Sequence, residues 1–185
     1  RRDLAQWFLR ITEYADELLA AIDDLEGWPD SAREMQRNWI GKQEGTRLPF
    51  DVYGDDEDYG TVEAFTTRAD TVFGATFFAL APDHEISRAV AAEDDAVHEF
   101  VEHEADPDGD EPNGVATGLT ARNPVTGEEL PVFVADFVLS DVGTGALMGV
   151  PGHDDRDHAF ATRMGVEIRP VLARGDDGVL VNSGE

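Results

Sequence analysis

The chain is 185 residues long, and its 40 acidic against 14 basic side chains leave a formal net charge of -26. That length makes one domain, or one domain with an appendage, and 41% hydrophobic residues suffice for a packed core, which excludes wholesale disorder. An acid surplus this large excludes non-specific nucleic-acid binding, which depends on neutralising phosphates, though not a local basic patch.

Residues 4–26 predict an amphipathic helix, because Trp7, Ile11, Tyr14, Leu18, Ile22 and Leu25 recur every three or four positions with acids between them. Gly27 ends it and Trp28-Pro29 breaks the chain. Ser31 and Glu34 fit a capping box, opening a short helix to about Arg37. From Trp39 the texture changes to short strands and turns. Residues 48–52 and 61–67 alternate as strands around the acidic turn 55–58, and 76–80 is strand-like too. Residues 84–104 read as helical, with Val97, Phe100 and Val101 on one face, before an acidic Pro/Gly loop over 106–114. Asn123-Pro124-Val125-Thr126-Gly127 is a turn between two strands, the second over 130–139. The wholly apolar 146–150 reads as a buried strand, 154–164 as a helix capped by Gly165, and 166–172 as a strand before a turn at 175–178. Many short strands with glycine turns and few helices predict an α+β, mainly β fold: a closed β-barrel with peripheral helices and an N-terminal helical lead-in. The predicted division is a lead-in over 1–38 and a main domain over 39–185, with Trp7, Trp28 and Trp39 as packing residues.

Three segments carry polar groups at places where a fold displays them. Thr66-Thr67-Arg68-Ala69-Asp70-Thr71 sits where a strand gives way to a turn. Arg68 there can grip a phosphate or carboxylate with both arms; equally, the segment is a threonine-rich strand end with Asp70 as a helix cap. In His153-Asp154-Asp155-Arg156-Asp157-His158, the residues Asp154, Asp157 and His158 share one helix face. They can hold a substrate ammonium or a hard divalent metal, or simply be the acids that belong in a first helical turn. Gly143-Thr144-Gly145 is neither a P-loop nor a dinucleotide fingerprint, and its glycines read as allowing close backbone packing. His84, His98 and His103 lie in acidic surroundings and carry no specific role.

The remaining composition narrows the setting. Lys42 is the sole lysine, and the acids are spread along the whole chain, as on proteins of salt-in halophiles whose self-repulsion molar salt screens. No cysteine is present, so disulfide, thiolate and Cys-ligated zinc chemistry are excluded. No apolar run approaches the ~18 residues of a membrane span and no signal peptide opens the chain, so a cytoplasmic protein without a membrane partner is expected. The chain opens at Arg1 without methionine and stops at Glu185 without a terminating signal, which reads as a piece of something longer.

Residues 6–45, including Met35-Gln36-Arg37-Asn38-Trp39-Ile40-Gly41-Lys42, resemble the stretch of bacterial-type leucyl-tRNA synthetases that leads from the catalytic domain into an inserted editing domain. Thr66 to Gly74 resembles that family's threonine-rich editing motif, 143–157 its second editing motif, and 177–185 a later stretch of the same insertion. Arg68 and Asp70 favour the leucyl branch over the related isoleucyl and valyl enzymes. The resemblance implies a domain that hydrolyses the ester of mischarged tRNA-Leu carrying norvaline or isoleucine. Leucine ligation, with ATP and magnesium, would then belong to the rest of the synthetase chain, since His-Ile-Gly-His and Lys-Met-Ser-Lys-Ser are both absent here. Its expected partners are the tRNA-Leu 3' end, the mischarged amino acid and the remainder of the synthetase; it needs no cofactor or metal of its own.

Residue by residue, the resemblance implies Thr66, Thr67 and Asp157 as catalytic. The two hydroxyls hold substrate and help order the water, and Asp157 pairs with the α-ammonium. Thr71 would exclude the leucine side chain, Met148 wall the pocket and Arg68 contact the terminal nucleotide, with Val142, His153 and Asp154 completing the substrate-binding set. Two positions depart from the family pattern: Ala69 stands where proline is usual and Val142 where tyrosine is common. Two other functions stay open on the residues alone. One is a metal-dependent hydrolase using Asp154, Asp157 and His158; the other is a non-catalytic tRNA-binding module.

Overall fold

The computed structural model describes residues 7, 9–42, 44–55, 57–106, 109, 111–140 and 143–171. The chain divides into two compact units, Arg1–Glu44 and Gly45–Glu185.

In the first unit, 3-10 turns at Ile11–Tyr14 and Ile22–Asp24 flank α1 (Ala15–Ala21), and α2 (Asp30–Ile40) follows. The continuous helix expected over 4–26 is therefore interrupted, and the tight turns fall where β-branched Ile11, Thr12 and Ile22 lower helix propensity. Helix α2 starts without the predicted capping box: Pro29 precedes it, no side chain caps it, and Asp30 pairs with Arg33 across the first turn. It ends at Gly41, whose φ of 62° suits a left-handed residue and whose N–H returns to the Arg37 carbonyl. The tryptophans are not packing residues of this unit. Trp7, Trp28 and Trp39 are exposed, as are Leu18 and Met35, and only Ile22 is buried among its described residues.

The second unit is built on β1 (Thr46–Tyr53), β2 (Asp58–Thr66), β3 (Phe77–Leu80), β4 (Gly114–Arg122), β5 (Glu129–Ala135) and β6 (Ala146–Gly149). Its helices are α3 (Glu85–Ala91), α4 (Asp95–Glu99), which continues into a π turn at Phe100–Glu104, and α5 (Asp155–Met164). The predicted helix over 84–104 thus breaks once, at Asp94, whose carboxylate caps α4 by accepting from the N–H groups of Ala96 and Val97.

The strand order is β2-β1-β4-β5-β3-β6, antiparallel throughout except for the parallel pair β3–β5. No ladder joins β2 to β6 among the described residues, so the fold is α+β on a mixed six-stranded sheet and the expected closed barrel is wrong. The physical reason lies at the two ends of the order. Four-residue β6 spends its ladder on β3, and the turn before it meets β2 through a side chain: the Thr144 hydroxyl donates to the Glu63 carbonyl. The strand expected over 166–172 does not form either among its described residues. Pro170 has no N–H to give a ladder, and the Val171 N–H goes to a histidine instead.

Strand β3 is buried on both faces. Phe78 and Leu80 point into a core with Phe50, Val132 and Val134, while Phe77 and Ala79 join Phe133 and Phe160 on the other side. Phe160 places α5 there, stacked within 5.0 Å of Phe77 and edge-on to Phe133. This packing holds the start of α5 against the end of β6.

Candidate active site

The first motif starts on the last residue of β2 and runs into a 3-10 turn, Ala69–Gly74. Thr66 Oγ1 accepts from the Arg68 N–H at 3.0 Å, a short side-chain turn that peels the chain off the strand. That bond occupies a lone pair and leaves the Thr66 hydroxyl proton for another acceptor. Thr67 is exposed. Arg68 holds Asp70 with both arms of its fork, Nε to Oδ1 at 3.0 Å and Nη2 to Oδ2 at 2.9 Å. The Arg68 bond holds the Asp70 carboxyl below its ordinary range, with a smaller contribution from His153. Thr71 is 4% exposed, and its hydroxyl donates to the Arg68 carbonyl at 2.8 Å.

The second motif runs from β6 through a turn into α5. Gly143 and Gly145 have φ of 68° and 71°, left-handed conformations that explain both glycines better than close packing alone. Met148 is buried on β6, paired with Phe78 and in the same core as Val72 and Val150. Asp154 is the N-cap of α5: its Oδ1 accepts from the N–H groups of Arg156 and Asp157, both at 2.9 Å. His153 is exposed, and its Nε2 accepts from the Val171 N–H at 2.9 Å.

Asp157 is the unusual group. It is 4% exposed in the first turn of α5; Oδ2 accepts from the Val150 N–H at 2.8 Å, while Oδ1 has no partner among the described residues. Burial pushes its pKa up to about 6, with the Val150 bond opposing and the Asp154 charge adding to the rise. A buried carboxylate with one oxygen unsatisfied is costly to a fold and useful to a cation that needs a partner.

The fold brings the two motifs together through backbone. The Thr76 N–H donates to the Gly149 carbonyl at 3.1 Å, and Gly74 at the end of the 3-10 turn packs on Val150. The segment 169–171 then lies over both. A Cβ on Gly74 would stand 3.0 Å from the Arg169 carbonyl oxygen, and one on Gly152 only 2.5 Å from it. Gly152→Ala therefore destabilises the domain by about 1–3 kcal/mol in urea unfolding, because the obstacle is backbone that cannot swing away. Sequence reasoning missed this seat, and it also missed Asn123. That side chain is 1% exposed, and its Nδ2 donates to the Val72 carbonyl at 2.9 Å. The Asn-Pro-x-x-Gly turn was legible, but its partner 51 positions away was not.

Other expectations fall elsewhere. Val142 lies outside the described residues, as does 177–185. His158 is exposed, so Asp154, Asp157 and His158 do not converge, and no group of three His, Asp or Glu side chains spaced for a metal occurs among the described residues. His84, given no specific role above, is half-buried and caps α3 by accepting from the Ile86 N–H, and burial lowers its pKa. A broad, open pocket of about 740 Å³ lies at the far end of the β1–β2 hairpin, lined by Asp51, Tyr53, Glu57 and Arg122. It contains none of the residues singled out above.

Comparisons with known proteins place the chain in a family. The family model described as leucyl-tRNA synthetase, editing domain, matches residues 37–184. The leucine–tRNA ligase of Halobacterium salinarum is 58% identical and that of Halorhodospira halophila 49%, each across the whole of this chain. The chain spans 22% and 25% of those two proteins' lengths. Among solved structures, the ternary complex of Agrobacterium radiobacter K84 agnB2 LeuRS with tRNA and LeuAMS superposes with a TM-score of 0.70 at 42% identity, over 96% of this chain and 22% of that one. On the extent of these matches, the chain belongs to the editing-domain family of leucyl-tRNA synthetases, the deacylase domain within leucine–tRNA ligases.

Proposed function

We propose that the domain hydrolyses norvalyl- and isoleucyl-tRNA-Leu and spares leucyl-tRNA-Leu. The observation that carries this is Asp157, a buried carboxylate with one free oxygen, attached through Val150 to the turn that bears Thr71. The α-ammonium of the esterified amino acid takes the unsatisfied Oδ1, an interaction strengthened by exclusion of water. Thr71 limits the length and branching of the side chain. A hydrophobic first sieve separates one methylene by only ~1–3 kcal/mol, so a second, size-excluding site is needed.

The chemistry is modest. Water adds to the ester carbonyl, the bond to the ribose oxygen breaks, the proton passes to that oxygen and the amino acid leaves as the free acid. With the ester held in place, a positioned water and donors to the developing oxyanion suffice. The Thr66 hydroxyl, whose oxygen already accepts from Arg68, donates to the substrate, and exposed Thr67 helps order the water. Arg68 engages Asp70 through Nε and Nη2, which leaves the Nη1 edge of the fork for the terminal nucleotide. A hydroxyl of that nucleotide's ribose assists the water, since no side chain of either motif is placed as a general base.

The substrate is the 3' end of tRNA-Leu, delivered by the remainder of the synthetase, which carries out ATP- and magnesium-dependent ligation in the cytoplasm. No helix among the described residues is long and apolar enough to cross a membrane. Binding of a polyanion by a chain of charge -26 relies on local arginines, with molar salt screening the rest. The test is deacylation of norvalyl-tRNA-Leu by the parent enzyme in molar KCl, after removal of magnesium with EDTA. Hydrolysis continues unchanged; loss of deacylation restored by a divalent cation would favour a metal-dependent hydrolase instead.

A further inference from the structure

The 3-10 turn that carries Thr71 is six residues long, and 3-10 geometry is a weak way to hold a residue in place. Position 69 is alanine, so no proline ring fixes the backbone there. The two donors of Thr71 both go to Arg68, its near neighbour: the N–H at 3.1 Å and the hydroxyl at 2.8 Å meet the same carbonyl. Those bonds close the turn on itself. The next residue ties it to the rest of the domain: the Val72 side chain is buried in the core, and its carbonyl accepts from the Ala75 N–H at 3.2 Å and from Asn123 Nδ2 at 2.9 Å, the bond that comes from outside the turn. Asn123 follows β4, and its Oδ1 accepts from the N–H groups of Val125 and Thr126 at 2.9 and 3.2 Å. The Asn123 N–H donates to the Glu128 carbonyl, and the Gly127 N–H returns to the Asn123 carbonyl. One amide therefore uses both ends: the oxygen closes its own turn, and the nitrogen reaches across to the turn with Thr71. It is also 1% exposed, so water cannot replace either bond.

We propose that Asn123 is a specificity-positioning residue: by holding the Val72 carbonyl it sets how far Thr71 stands from the substrate side chain, and so which amino acids are excluded. The assignment rests on reading Thr71 as the sieve. A sieve acts over the width of a methyl group, and displacement by about 1 Å is enough to change rates by ~100-fold. Relaxing the tie lets the turn retreat and admits leucine, whereas an amino acid that already fits gains little.

The experiment uses the full-length parent synthetase, with single-turnover hydrolysis of leucyl- and norvalyl-tRNA-Leu measured at equal concentrations of folded enzyme. Asn123→Asp keeps the acceptor for Val125 and Thr126 but loses the donor to Val72. Asn123→Ser, a second variant should the first fold poorly, keeps a short acceptor that does not reach Val72. Both raise the leucyl-to-norvalyl rate ratio about tenfold or more. In a Thr71→Ala background neither raises it further, because the residue they act through is gone. A merely structural Asn123 would lower both rates together and leave the ratio unchanged, which would overturn the proposal. A ratio that rises equally in the Thr71→Ala background would overturn it as well. Thr71→Ala enzyme that itself still spares leucyl-tRNA-Leu would sink the sieve reading, and this assignment with it.

Discussion

With Thr71 replaced by alanine, leucyl-tRNA-Leu, the correct product, becomes a substrate for hydrolysis. Thr71 is buried, and replacing it by alanine removes Cγ2 and the hydroxyl, the bulk proposed to meet the γ-branch of leucine. At ~1–3 kcal/mol per methylene-sized group, the rate on leucyl-tRNA-Leu rises roughly 10- to 200-fold, with norvalyl-tRNA-Leu little changed. Alanine also removes the hydroxyl bond to the Arg68 carbonyl, so bulk and hydrogen bond must be separated. Thr71→Val keeps the bulk and loses the bond; Thr71→Ser keeps the bond and loses a methyl. A steric sieve makes serine leak and valine hold. The reverse order would mean that the turn, and not the volume, sets specificity.

Asp157→Asn has two consequences of opposite sign. Hydrolysis of every mischarged substrate falls by at least ~100-fold, as expected when a charge-assisted anchor made in a desolvated site is neutralised. Stability at neutral pH rises. The folded-state pKa of about 6 lies above the ordinary value of 3.8, so between pH 4 and 6 the folded protein keeps a proton that the unfolded chain releases. Stability therefore declines as pH rises through that window, and above it the ionised carboxylate costs the fold on the order of 3 kcal/mol. Asparagine retains an acceptor for the Val150 N–H and removes that cost. Urea unfolding at pH 7.5 shows the variant more stable by about 1–3 kcal/mol, with the gain gone near pH 4. The same ionisation governs wild-type turnover, which drops as pH falls below about 6 because a protonated Asp157 no longer pairs with an ammonium.

What was legible in the chain was local. Helix α5 and its end at the left-handed Gly165 stand where the pattern placed them, since helix ends are set within four residues, while Asp154, read as the first helical residue, is the cap before it. The threonine segment was rightly placed at a strand end, because alternation and a polar break are nearest-neighbour signals. Contacts between distant segments were not legible. Strand content says nothing about whether β2 pairs with β6; the two lie close, yet among the described residues no ladder joins them, and the Thr144 hydroxyl before β6 bonds the Glu63 carbonyl of β2. Residues 166–171 have the composition of a strand, yet they are used as an overlay on Gly74 and Gly152, held by His153. Spacing alone did not separate Asp157 from other first-turn acids; the resemblance named it, and the fold adds that it is buried. The tryptophans of the first unit have the spacing of a core face and are exposed within that unit.

The central claim is that one site combines a buried ammonium partner with a steric limit. The most direct measurement is single-turnover release of amino acid from norvalyl- and leucyl-tRNA-Leu by the full-length parent enzyme in molar KCl, wild type beside Asp157→Asn. Wild type releases norvaline and retains leucine, and the variant releases neither. Equal release of both amino acids by the wild type, or an undiminished norvaline rate in the variant, would contradict the account.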